Sequence, residues 1–253
     1  MRDSHISPWI AGTTAGFASG GAVWSLMLLL TQYLQSNNEL LAWSISLASI
    51  TVAGLVTGLS QGLYLQRLTG KIPYLGWTGA TVVGVIMGLL VIGSIGRGGT
   101  GPSLTLNFSV AGAYISMPLA HATGSAYSLE MIVGVSSISI LYYGCMAAFM
   151  FAAVAGIIPS VLQWFLLRRH FRNSFFWTVF SVLAFDLSGA ACVSVSWLAG
   201  SFMGGAPVVQ DNSAVAALIG LLGWCATGFT IGAATSPVLP WLQSQPLEEG
   251  TLF

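Results

Sequence analysis

The sequence predicts an all-α membrane protein of six transmembrane helices, built from repeated helical hairpins and carrying a long external loop or cap. Three observations predict it. Only 6% of the 253 residues are charged while 55% are hydrophobic. Six apolar runs each reach the length of a membrane span. Nearly all the basic residues gather in the connections on one side of those runs.

A soluble domain carries about 25% charged residues, so so few charges could not cover a fold of this size in water. The mean hydropathy of +0.82 points the same way. Net charge is zero, which leaves no basic patch for nucleic acid. The three cysteines, Cys145, Cys192 and Cys225, all lie in apolar stretches and read as small packing residues. No Cys or His spacing suggests a metal site, and the sequence implies no particular cofactor.

A span takes about 20 apolar residues. The six runs fall near 8–33, 40–66, 74–96, 138–167, 174–199 and 214–242, within one domain covering 1–253. Helices are expected because lipid offers backbone groups no partners. The first run begins close to the N-terminus, but no A-x-A-like site follows it, so it reads as an uncleaved span. Arg2, Arg67, Lys71, Arg168, Arg169 and Arg172 share one side of this arrangement, and only Arg97 lies on the other, with Glu39, Glu130 and Asp211. The Lys/Arg bias therefore places both termini in the cytoplasm, as for a multi-pass protein of a bacterial inner membrane or thylakoid.

The connections near 67–73 and 168–173 are short and basic. The segment 97–137 is long and nearly uncharged, and reads as an external cap. Within it Leu104, Leu106, Phe108 and Val110 alternate with Ser103, Thr105, Asn107 and Ser109, a half-buried strand pattern.

Two stretches repeat. Gly54, Gln61, Leu65 and Arg67 match Gly156, Gln163, Leu167 and Arg169 at an offset of 102, and Trp77 matches Trp177 at 100. Each unit is a helical hairpin with its basic turn in the cytoplasm. Trp9, Gly16 and Gly20 repeat the spacing of Trp77, Gly84 and Gly88. The last run completes a third hairpin split by the chain ends, with Pro237 and Trp241 matched to Pro159 and Trp164. Gln163, Trp164, Leu167, Arg168, Arg169 and Trp177 carry the pattern Gln-Trp-x-x-Leu-Arg-Arg followed by Trp. It resembles a group of uncharacterised multi-spanning bacterial membrane proteins, many from photosynthetic bacteria. The resemblance covers roughly 54–90 and 156–191 and implies no activity.

Glycines four apart share a helix face and let backbones approach closely. Gly12, Gly16 and Gly20, then Gly84 and Gly88, then Gly228 and Gly232 are spaced this way. They read first as packing faces within the fold, and alternatively as a docking surface for another membrane protein. The first run resembles the small-residue helix that vitamin-binding subunits of energy-coupling transporters present to their partner. Trp9, Trp77, Trp164, Trp177 and Trp241 read as one interfacial belt, with Trp43 and Trp197 near the other face.

Gln61 and Gln163, inside the ends of their runs, read as interhelical hydrogen-bonding groups or the wall of a polar pathway. Asp186 stands 12 residues into the fifth run, near mid-membrane. An acid there is costly and marks a candidate ligand or ion site, with Thr227, Thr230 and Ser188 as candidate neighbours. The aligned positions in the other arms are Ala18 and Ile86. No phosphate loop, metal cluster or pair of acids on one helix suggests an enzyme. His121, and the stretch from Asp186 to Gly189, faintly resemble rhomboid protease motifs. The nucleophile motif would need glycine at Asp186, and the histidine precedes the serine. The expected function is a transporter or solute-binding membrane subunit. The alternative is a structural or assembly subunit of a respiratory or photosynthetic complex.

Overall fold

The computed structural model describes residues 6–33, 39–97, 152, 155–203 and 213–244. Seven helices are named here in chain order. They are α1 (Ile6–Tyr33), α2 (Glu39–Thr69), α3 (Tyr74–Arg97), α4 (Ala155–Leu167), α5 (Phe175–Phe202), α6 (Ser213–Thr235) and α7 (Val238–Gln243). No strand occurs among the described residues. The expected cap at 97–137, with its strand pattern, falls outside them beyond Arg97, as do residues 138–151.

Among the described residues three stretches are long and apolar enough to cross a membrane: Leu47–Thr69, Phe175–Phe202 and Ala214–Leu242. Tyr74–Gly88 and Ala155–Leu167 are shorter apolar helices. The last span is not one continuous helix. Pro237 has no N–H to continue the ladder and its ring would strike the carbonyl four residues back. The chain therefore turns at Ser236–Pro237 and restarts as α7.

The two basic turns close differently. After α2, Gly70 takes a left-handed conformation (φ 66°) and its N–H bonds to the Gln66 carbonyl at 2.8 Å. That is the usual glycine stop of a helix. After α4, residues 168–174 form the turn and Asn173 takes the left-handed residue (φ 59°), which asparagine tolerates better than most. The second connection is shorter between its leucine and its tryptophan. The chain absorbs the difference by ending α4 at Leu167, whereas α2 runs a turn past Leu65.

Helices α1 to α6 form a closed ring in which each packs on its neighbours in sequence, and α6 packs on α1. Glycines set the close approaches. Gly16 lies against Thr57 between α1 and α2, Gly58 against Thr78 between α2 and α3, and Gly84 against Pro159 between α3 and α4. Gly156 faces Phe185 between α4 and α5, Gly223 faces Cys192 between α5 and α6, and Gly232 faces Ile10 between α6 and α1. One contact recurs three times around the ring: Gly54 with Val85, Gly156 with Phe185, and Gly228 with Phe17. These positions are spaced as Gln61, Gln163 and Thr235 are on one set of helices, and as Trp77, Trp177 and Trp9 are on the other. These contacts fall in a different register from the one the sequence spacing suggests for the last run. Gly228 and Thr235 stand at the places of Gly156 and Gln163, about a turn and a half earlier on α6 than the match of Pro237 and Trp241 to Pro159 and Trp164 would put them.

The outer faces are apolar. Leu26, Leu55, Val83, Phe165, Leu183 and Phe229, from six successive helices, are all exposed. Such a surface suits lipid, and its contiguity would be costly in water.

Candidate functional site

The tryptophans at the turn end of the ring point inward, so the interfacial belt is corrected for three of them. Trp9, Trp77 and Trp177 are 1%, 0% and 2% exposed. They stack edge to face, with centroids 5.9 Å apart for Trp9–Trp177 and 5.3 Å for Trp77–Trp177. Leu65, Leu167 and Leu239 pack around them, and Ile72 and Phe171 from the two turns close the cluster. Trp164 and Trp241 are only half-buried. Arg168 lays its guanidinium over Phe165 and Trp164, 4.5 and 5.4 Å from the ring centroids, a cation–π arrangement.

A buried indole N–H needs an acceptor, and the neighbouring helices supply one each time. Trp77 Nε1 donates to Gln61 Oε1 at 3.3 Å, Trp177 Nε1 to Gln163 Oε1 at 3.0 Å, and Trp9 Nε1 to Thr235 Oγ1 at 2.9 Å. The glutamines pass the network on. Gln61 Nε2 donates to Thr13 Oγ1 at 2.8 Å and Gln163 Nε2 to Thr81 Oγ1 at 2.9 Å. Those hydroxyls donate in turn to the Trp9 and Trp77 carbonyls, both at 2.9 Å. The two glutamines thus tie three helices each: α2 to α1 and α3, and α4 to α3 and α5.

Inside this girdle lies a small cavity of about 30 Å³. Residues from α1 to α6 line it, among them Thr57, Gln61, Thr81, Gln163, Ser181 and Thr235. The hydroxyls of Thr57 and Ser181 are buried there without a hydrogen-bond partner.

Asp186 lies outside this cavity lining. It is 5% exposed, and its Oδ1 is buried with no hydrogen-bond partner. The expected neighbours do not compensate it. Thr227 donates to the Gly223 carbonyl at 3.0 Å and Ser188 to the Phe185 carbonyl at 2.7 Å. Helix geometry shows why. Successive residues turn about 100°, so Asp186 projects about 120° away from Cys192, which faces Gly223 on α6. Phe175, three turns earlier on the same face, packs on Trp164 of α4, so Asp186 stands toward the α4 side. Thr230 on α6 is half-buried.

The seven spaced glycines face helices of the same chain. Gly12, Gly16 and Gly20 meet Ser60, Thr57 and Ala53. Gly84 and Gly88 meet Pro159 and Ala155. Gly228 and Gly232 meet Phe17 and Ile10.

Sequence reasoning missed Thr13 and Thr81 as members of the polar network, and Ser181 and Thr57 as polar residues of the cavity wall. The available signal was the spacing of four between each tryptophan and the hydroxyl after it: Trp9 and Thr13, Trp77 and Thr81, Trp177 and Ser181. The described residues contain no group of three or more His, Cys, Asp or Glu placed to hold a metal ion. Among known proteins, no family model, no curated sequence and no solved structure matches this chain.

Proposed function

We propose that this chain is a six-span membrane protein of the transporter or solute-binding class, with both termini in the cytoplasm and Asp186 as its working residue. One observation carries the reading. A carboxylate oxygen is buried within a membrane-length helix, and no protein group compensates it. Intramembrane acids are costly and are kept for ion, proton or solute handling by default. A partner that comes and goes, such as a cation, a proton or a polar solute, would supply what the fold withholds. The six-span reading is supported by the ring, in which each of α1 to α6 presents exposed apolar residues outward. The likeness of the three hairpins, supported by the recurring tryptophan bonds, fits parallel repeats about an axis along the membrane normal, a device of transporters.

Asp186→Asn tests the reading, because Asn is nearly isosteric but can neither carry the charge nor release a proton. The mutant should keep wild-type thermal stability in detergent. It should fail to complement the uptake or growth phenotype of a strain lacking the gene. Full complementation by a stable mutant would remove Asp186 from the site.

A second reading, a structural or assembly subunit of a larger membrane complex, is favoured by the narrow interior. About 30 Å³ at the axis holds nothing as large as a vitamin. Docking would use faces other than the seven glycines, which are taken up within the ring. Recovery of the chain in a stoichiometric respiratory or photosynthetic complex from mild detergent would favour it.

A further inference from the structure

We infer that the axial cavity is a hydration site, in which ordered water stands in for a carboxamide that the third unit lacks. In the first two units one glutamine does two jobs. Its oxygen accepts an indole N–H and its nitrogen donates to the hydroxyl on the adjoining helix. In the third unit the glutamine's place is held by Thr235. Its oxygen accepts from Trp9 at 2.9 Å, as a glutamine would. Its single proton goes to the Ile231 carbonyl at 2.7 Å on its own helix. Nothing remains to donate across to Ser181, which holds the position equivalent to Thr13 and Thr81.

The consequence is visible at Ser181, whose Oγ is buried without a partner at 3% exposure. Thr57 Oγ1, at 4% exposure, is in the same condition and lines the same cavity. A water needs about 10–15 Å³ and two to four polar partners. The cavity's 30 Å³ therefore admits about two. Partners are at hand: the two free hydroxyls, and the second lone pair of each glutamine oxygen, since one indole uses only one. Water fits this lining better than a cation does, because no carboxylate is among the lining residues and every oxygen there is neutral. An empty cavity would suit an apolar lining.

The first test is a density map of the full chain at a resolution that shows ordered water. A peak at hydrogen-bonding distance from both Ser181 Oγ and Thr57 Oγ1 is expected. Bare density there would overturn the inference. So would an anomalous peak after exchange into rubidium salt, which would make the site a cation site. The second test is Thr235→Gln, which restores the missing amide. It should displace water from Ser181 and raise Tm by about 2–4 °C, the shift expected for one hydrogen bond in a protein this size. The gain should vanish in a Ser181→Ala background. An equal gain in that background means simple filling of space and refutes the role given to water. Should Thr235→Gln fail to fold, the wild-type map still decides.

Discussion

Gln163→Leu should be among the most damaging single changes in the molecule, because it strands a donor that the fold cannot rehydrate. Leucine approximates the volume of glutamine without its amide. Trp177, 2% exposed, would keep its indole N–H in place while losing the oxygen 3.0 Å away. The link from Gln163 Nε2 to Thr81 would go as well. Thr81 would stay satisfied through the Trp77 carbonyl, so the main loss is the stranded indole. A buried group left unpaired costs about 1–3 kcal/mol. Each kcal/mol moves Tm by about 2–4 °C in a protein of this length, so a fall of about 4–8 °C is expected for about 2 kcal/mol. Thermal denaturation in detergent, followed by tryptophan fluorescence at one scan rate, measures it. Gln163→Thr supplies an acceptor of the kind Thr235 already provides to Trp9 and should fall by less. Combining Gln163→Leu with Trp177→Phe removes donor and acceptor together, so the double mutant should lose less than the sum of the singles. The reasoning fails if Gln163→Leu shifts Tm no more than a lipid-facing control such as Leu183→Ala.

Gly84→Ala should destabilise by about 1–3 kcal/mol, since its new methyl would meet the Pro159 backbone. Gly79→Ala, with nothing within 4 Å, should be neutral or mildly stabilising; equal Tm values for the two would refute the helix contact. Cysteines at the exposed positions Gly70 and Arg172, in a cysteine-free background, should resist an impermeant external reagent in intact cells, while one at 107 should be labelled. Labelling at both turns and not at 107 would reverse the orientation drawn from the charges, and labelling at 172 without 70 would refute the six-span count. His170 lies in the second turn, where burial first and then Lys71 and Arg169 lower its pKa below the ordinary 6.5. Its unfolded form therefore binds the proton more readily, and stability should decline as pH falls below about 6.5. His170→Gln should flatten that decline in a Tm–pH series, and an unchanged slope would show that His170 does not cause it.

Where the residues are described, apolar length and the basic turns made most helices legible, but the break at Pro237 was not, since the sixth run was read straight through it. The glycine faces were legible too, since spacing by four fixes a face whatever lies opposite. The tryptophans were not. A tryptophan near the end of an apolar run satisfies the same pattern whether it faces the lipid interface or the ring interior, and only the partner for its N–H distinguishes them. That partner lies 16 residues away for Trp77 and 14 for Trp177, but 226 for Trp9. The third is invisible to any hairpin search, because its acceptor is a threonine at the opposite end of the chain. Asp186 was legible as costly, but its side of the helix was not. Its depth suggested Thr227 and Thr230, whereas the turn of α5 carries it away from α6.

The departures from the threefold pattern share one region of the ring. Thr235 replaces a glutamine, Ser181 replaces a threonine, and Asp186 stands where the other arms have Ala18 and Ile86. All three lie on α5 and α6, beside the break at Ser236–Pro237. Elsewhere the girdle is closed: each glutamine spends its nitrogen on a neighbour's hydroxyl and its oxygen on an indole. Such bonds fix the spacing of α1 to α5 and resist movement. On the α5–α6 side the corresponding bond is missing, and Ser181 Oγ is left without a protein partner, while Asp186 Oδ1, also unpartnered, stands on the α4 side of α5. Helices that must move relative to one another cannot also be tied at every crossing. The α5–α6 crossing is the one that the tryptophan–glutamine girdle leaves without its own bond, and close packing such as Gly223 against Cys192 joins the two helices instead.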